Sequence, residues 1–216
     1  MDNEKTLAAL FDFDGVVMDT ESQYTVFWDA VGKEFFPEIP SYGHHIKGLT
    51  LTQIYDKYFP GREDIQAVLT AKLNAFEEQM QFELIPGVDI FMKELQRQGI
   101  KMAIVTSSNN LKMEKAFRAH PELKTLVDVI ITADKVTHSK PHPECFLLGA
   151  EMLGVSVANC VVFEDSFHGL EAGNRAGMKV IGLSTTNAAD SIVSRCSMVI
   201  PHFVGFSVEK MKCVLQ

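Results

Sequence analysis

Hydrophobic positions divide the chain into two kinds of segment. Residues 6–11 are apolar without polar alternation, the pattern of a parallel strand covered on both faces. From residue 20 the period changes, and Tyr24, Phe27, Trp28, Val31 and Phe35 recur on one face of a helix over 20–36, which Pro37 and Pro40 end. Two further helical patterns, 51–58 and 62–80, are separated by Pro60-Gly61. Three helices without an intervening strand break any β-α-β alternation, so residues 19–82 read as a helical insertion. After Pro86-Gly87 strands and helices alternate regularly: a helix to Gln98, a strand at 101–105, a helix at 111–119, a strand at 127–132. The same rhythm continues with a helix at 143–153, a strand at 160–163, a helix at 169–176, a strand at 180–183 and a short edge strand at 198–200. The pattern predicts an α/β protein with a doubly wound parallel sheet, its core formed by 1–18 and 83–216 and its helical cap by 19–82. Ligands of such sheets bind beyond the carboxyl ends of the strands.

Composition narrows the function classes. Hydrophobic content of 46% and charged content of 22% describe an ordinary globular chain, and 216 residues can bury roughly 70% of their unfolded surface. A net charge of −8 opposes nucleic acid and anionic lipid, so a phosphate-bearing ligand must be met by local positive charge. No secretory signal or transmembrane run is readable, which gives a cytoplasmic expectation, and we expect a monomer. Cys145, Cys160, Cys196 and Cys213 are widely spaced without a C-x-x-C, so buried free thiols are expected rather than disulfides or a zinc site.

Chemistry gathers where the strands end. The first delivers Asp12 and Asp14, followed by Gly15, which lets the chain turn sharply. The second ends in Thr106-Ser107-Ser108-Asn109-Asn110, the third leads to Ser139-Lys140-Pro141, and the fourth ends in Glu164-Asp165-Ser166. Two carboxylates one residue apart repel each other when buried, so a divalent cation, a lysine or both must stand beside them. Each group has a plainer use as a helix cap or turn, although a helix N-terminus can cap and bind phosphate at once.

These segments resemble, in order, the four motifs of the haloacid dehalogenase superfamily of phosphotransferases: Phe11-Asp12-Phe13-Asp14-Gly15-Val16-Val17-Met18-Asp19-Thr20-Glu21, Val105-Thr106-Ser107-Ser108, Ser139-Lys140-Pro141-His142-Pro143, and Val162-Phe163-Glu164-Asp165-Ser166 with Gly169, Ala172, Gly173, Ala176 and Gly177. The helical insertion lies where the family carries its α-helical cap. The resemblance implies that Asp12 is the nucleophile attacking phosphorus and that Asp14 protonates the leaving oxygen, then deprotonates the hydrolytic water. It implies Mg²⁺ held by Asp12, the Asp14 carbonyl and Asp165, with Glu164 as a second ligand or an outer orienter. Lys140 would face the acidic cluster and the phosphate, while the Thr106 hydroxyl and the Ser107 N–H would hold phosphate oxygens. The superfamily's dehalogenases lack an Asp at the position of Asp14, so its presence points to phosphoryl transfer.

Within the superfamily the chain most resembles the branch of β-phosphoglucomutase and small sugar-phosphate phosphatases. Its mutases have a cap His where Tyr24 stands, an Arg where Leu51 stands and a Lys where Asn109 stands. Two expected cations are thus missing, which favours a hydrolase acting on a small phosphorylated metabolite. Ser108 and Asn110 still match, and Lys72 could replace a lost cation, which keeps a mutase as the alternative; Lys47 and Lys72 are the cap's candidate substrate ligands. His44, His45 and His168 are expected near the cleft, Trp28 belongs to the cap core, and His138 and His142 bracket Lys140 across a Pro turn, so no helix presents them as a metal pair. The non-enzyme alternatives are a phospho-receiver, with its acceptor Asp near the end of the third strand at 129–134, and a binding domain with a decayed site, for which a catalytic residue would have to be missing.

Overall fold

A computed structural model describes residues 6–47 and 49–216 of the protein. Six parallel strands form one sheet: β1 (Ala8–Phe11), β2 (Lys101–Val105), β3 (Val129–Ile131), β4 (Cys160–Glu164), β5 (Lys179–Leu183) and β6 (Met198–Ile200). Their order is β3-β2-β1-β4-β5-β6. The order therefore reverses between β1 and β4, and a doubly wound sheet opens a ligand crevice at that reversal. The receiver alternative requires a different, flavodoxin-like order. Strand β3 is shorter than the apolar run predicts: at Asp128 the backbone N–H still donates to the Met102 carbonyl at 2.9 Å, but the Met102 N–H goes to the Asp128 carboxylate, also at 2.9 Å, instead of to a strand carbonyl.

Strand β1 is completely buried, and its side chains alternate between two cores. Ala9 and Phe11 join the layer with Phe91, Phe163 and Phe203, while Ala8 and Leu10 join the layer with Phe146, Val162 and Leu170. Phe11 stacks on Phe163 across the β1–β4 pairing with ring centroids 4.7 Å apart. Aromatic packing thus fixes the two strands whose ends carry acids.

Between β1 and β2 lie α1 (Glu21–Phe35), α2 (Tyr42–His45), α3 (Leu51–Tyr58), α4 (Glu63–Glu77) and α5 (Val88–Arg97). The first four of these helices share their own core, built on Trp28, Tyr42, Ile54, Phe59, Leu69 and Leu73. Helix α3 is started by a full capping box between Thr50 and Gln53. The short α2 has no counterpart in the apolar periodicity, since four residues are too few to show one. Downstream follow α6 (Asn110–Ala119), α7 (Leu123–Leu126), α8 (Glu144–Leu153) and α9 (Phe167–Arg175). All four cysteines are free, and Cys145 and Cys160 are buried, but Cys213 is exposed and so departs from the expected buried thiol. Among the described residues no helix is long and apolar enough to cross a membrane.

Candidate active site

Asp12 extends β1 by one residue, its N–H donating to the Phe163 carbonyl at 2.9 Å. The chain then folds back: the Phe13 carbonyl accepts the Val17 and Met18 N–H groups at 2.9 Å, and Gly15 takes φ +75°. A side chain at Gly15 would meet the left-handed backbone penalty and would also collide with the Asp165 carboxylate. Glycine is therefore what lets the ends of β1 and β4 approach each other.

Lys140 reaches the same point from the loop before α8. Its Nζ donates to Asp12 Oδ1 at 2.7 Å, to Glu164 Oε1 at 2.6 Å and to the Val105 carbonyl at 3.2 Å, and the side chain is only 4% exposed. The Asp12 and Glu164 carboxylates hold its pKa above the ordinary lysine range although burial works against the charge. Glu164 turns its other oxygen, Oε2, toward the Asp165 N–H, the Ser166 N–H and the Ser166 hydroxyl, at 2.9, 2.9 and 3.1 Å. A side chain on Gly169 would overlap the Glu164 carboxylate, so α9 can begin against it only with glycine at that place.

Asp12, Glu164 and Asp165 each bring a carboxylate oxygen within 4.8 Å of the others. All three are buried, and Lys140 is in contact with Asp12 and Glu164. Burial pushes Asp12 up to about 8, with Lys140 opposing and Glu164 and Asp14 adding to the rise. Asp165 is likewise raised well above the carboxylate range by burial, then by Glu164 and Asp12. An excess of buried negative charge on hard oxygen donors fits a divalent ion such as Mg²⁺.

Asp14 has a different environment. Its carboxylate accepts from the Thr20 hydroxyl, from Lys112 Nζ and from the Ser108 hydroxyl, the last at 2.7 Å. Burial alone would raise its pKa, but Lys112 and the hydroxyl donors hold it below the usual value. Two neighbouring carboxyls thus have pKa values pushed apart, an arrangement suited to separate acid–base and nucleophilic duties.

Lys112 was not expected from the sequence. The clue was available, because Asn109 caps α6 by accepting the Lys112 N–H at 2.9 Å, and the residue three past a cap lies in the first turn, at the strand-end loop. The expectation that the Asn109 loop lacks a cation is therefore corrected: Lys112 supplies one, 3% exposed, with Nζ 4.2 Å from the Tyr24 ring centroid. Tyr24 donates its hydroxyl to Glu77 Oε1 at 2.8 Å, and Lys115 lies 3.7 Å from Glu77 Oε2. Charged contacts thereby join α6 to α1 and α4 across the seam between sheet and inserted helices.

These elements enclose a cleft of about 530 Å³, lined by Asp12, Asp14, Lys140, Glu164, Asp165, Ser107, Ser108, Asn109 and Lys112 from the sheet side. Glu21, Tyr24, Trp28, Lys47 and Leu51 line it from the helical side, so Trp28 faces the cleft as well as its own core. Lys47 lies 3.8 Å from Glu21 Oε2, and burial followed by the Asp14 charge raises Glu21 to about 7. Glu21 was missed because its motif position reads equally well as the acidic first turn of α1. Thr106, 3% exposed, accepts the Ser108 N–H at 3.0 Å on its hydroxyl and so shapes the loop from behind. Asn110 is turned away, its Oδ1 accepting from the Thr132 hydroxyl at 2.9 Å.

Lys72 does not line the cleft. It is half-exposed and pairs with Glu34 at 3.3 Å, flanking the face of α4 that buries Leu69, Leu73 and Glu77. His44 and His45 are exposed at the end of α2, and His168 lies outside the cleft lining. His138 and His142 do come together, with ring centroids 4.6 Å apart, because the turn does what no helix could.

The chain is similar to many known proteins. The fructose-1-phosphate phosphatase YqaB of Escherichia coli is 31% identical over 190 residues, covering 82% of this chain and 96% of its own. Two solved structures share the fold: a HAD hydrolase of family IA, variant 3, from Entamoeba histolytica (TM-score 0.83, 23% identity, 97% of this chain and 99% of the other) and a β-phosphoglucomutase from Clostridium difficile (TM-score 0.80, 22% identity, 97% of each chain). Residues 9–183, which span both acidic strand ends, Lys140 and all the inserted helices, match the family model described as haloacid dehalogenase-like hydrolase. With the four strand-end groups converging on one cleft, that match places the chain in the haloacid dehalogenase-like hydrolase family.

Proposed function

We propose that the protein is a phosphatase that hydrolyses a small phosphomonoester of sugar-phosphate type through an aspartyl-phosphate on Asp12. The observation that carries this reading is the pairing of Asp12 with Lys140 at the floor of the cleft while Asp14, two residues away, is held by a separate set of donors. Asp12 attacks phosphorus and its partner lysine offsets charge on the transferring group. Asp14 gives a proton to the leaving oxygen and takes one from the water that cleaves the intermediate. The Ser107 N–H holds a phosphate oxygen, the Thr106 hydroxyl fixes the loop that presents it by accepting the Ser108 N–H, and Ser108 and Asn109 stand at the rim. Asp12, the Asp14 carbonyl and Asp165 would hold Mg²⁺, which supplies charge neutralisation and alignment of the phosphoryl group when bound. Glu164, engaged by Lys140 and by three donors of its own loop, orients that set from behind.

The substrate class follows from charge pairing. Lys47 is matched by Glu21 and Lys112 by Asp14, so among the described residues the upper cleft offers no net positive charge for a second phosphate. A neutral polyhydroxyl tail fits better than a bisphosphate, as does the resemblance to the E. coli fructose-1-phosphate phosphatase. Phosphate release from p-nitrophenyl phosphate and from sugar monophosphates, followed with Mg²⁺ and again with EDTA, tests the reading. We expect release that EDTA abolishes; no release from any of them would refute it. The mutase reading is favoured by Lys112, which restores a cation near the Asn109 position, and it is separated by the product.

Lys112 also yields a prediction. Lys112→Met removes the charge that favours ionised Asp14 in the water-activating half of the reaction and holds its carboxylate in place, and we expect kcat on a sugar phosphate to fall on the order of 10²-fold with a smaller change in KM. Lys112→Arg should recover part of it. Equal kcat values for wild type and Lys112→Met in a phosphate-release assay would detach Lys112 from the acid–base step.

A further inference from the structure

A second group of metal-ligand side chains lies outside the cleft. His138 and His142 flank the loop that delivers Lys140, and Glu144 is the first residue of α8. Both histidines are exposed, Glu144 is partly so, and none of the three lines the cleft.

The chain reversal between them stacks the two imidazoles with planes 35° apart. His138 Nδ1 is hydrogen-bonded to Glu144 Oε2 at 2.9 Å, and His142 Nδ1 lies 3.9 Å from the same oxygen. Ligands held about 2.0–2.1 Å from a tetrahedral zinc are about 3.3 Å from one another, so these two separations bracket the edge of such a site. The carboxylate is already oriented: Oε1 accepts the Thr137 N–H at 2.8 Å and Oε2 the His138 N–H at 2.9 Å. Those backbone bonds account for Glu144 as a brace for the loop. The second imidazole is held more loosely: its Nδ1 accepts a long bond, 3.3 Å, from the Glu144 N–H, and a metal ion has to displace only that bond to reach the lone pair.

We propose that His138, His142 and Glu144 form a surface zinc site, separate from the acidic cluster of the cleft. Two imidazoles and one carboxylate are a zinc-type donor set that Mg²⁺ disfavours, and the fourth position is open to water. Binding requires His138 to carry its single ring proton on Nε2 instead of Nδ1, a tautomer exchange that consumes no proton. The ion then ties residue 138 to residue 142 and to the start of α8, across the loop that holds Lys140.

Equilibrium dialysis of the full chain against Zn²⁺ in excess Mg²⁺, with metal analysis of the protein fraction, reads the site directly. Wild type and Asp165→Asn should both retain a zinc that His138→Ala/His142→Ala loses, with circular dichroism showing each variant folded. His142→Ala alone leaves the His138–Glu144 brace intact and should weaken zinc binding about tenfold or more. Equal zinc stoichiometry and affinity in wild type and the double variant, or loss of the zinc only in Asp165→Asn, would overturn the proposal.

Discussion

Asp12→Asn should release phosphate at least about 10⁴-fold more slowly than wild type from every substrate while remaining folded. The amide preserves size and leaves an oxygen to accept from Lys140, but it cannot attack phosphorus. Stability should move in the opposite direction from activity. Burial raises Asp12 from the ordinary 3.8 to about 8, with Lys140 opposing and Glu164 and Asp14 adding to the rise. Between these values the unfolded chain gives up the proton that the folded chain keeps, so wild-type stability without divalent ions falls as pH rises across that window. Asparagine has no such proton. Asp12→Asn should therefore be at least as resistant to urea as wild type at neutral pH in EDTA, and a variant that is inactive because it is unfolded would show itself in the same titration.

Lys140→Met should cost both stability and turnover. The ammonium is shared by Asp12 and Glu164, which are 7% and 0% exposed, and methionine fills a similar volume with no charge. Removing one member of a buried ion pair leaves the other uncompensated, at about 3–5 kcal/mol. Here two carboxylates lose their partner together. Urea midpoints should fall accordingly, and phosphate release should be lost even under conditions where the variant is folded. Lys140→Arg should rescue neither fully, because a planar five-donor group cannot occupy the point between two carboxylates and the Val105 carbonyl. Unchanged stability in Lys140→Met would mean that the acidic floor does not depend on this lysine.

The strands and their polar ends were legible because a parallel strand buried on both faces must be an unbroken apolar run, and the chain leaves each one through groups that cannot stay buried unpaired. Asp12, Asp14, Lys140 and Asp165 could be read for that reason, and the structure brings them to one cleft. Lys112 was passed over, since a lysine in the first turn of a helix reads as a solvated charge unless the cap at Asn109 is used to fix which way that turn faces. Lys72 shows the converse: only packing reveals that α4 buries Leu69 and Leu73 and turns Lys72 toward Glu34. The approach of His138 to His142 depends on the conformation of a short Pro-containing turn, which residue types alone do not specify.

Transfer of the phosphoryl group to water, rather than back to a sugar, is the central claim, and the identity of the product tests it most directly. Wild-type protein incubated with Mg²⁺ and a hexose monophosphate, with products separated by phosphorus NMR, should yield free sugar and inorganic phosphate in equal amounts, with no need for a bisphosphate activator. Conversion to an isomeric sugar phosphate with little free phosphate would contradict the account and assign the cleft to a mutase.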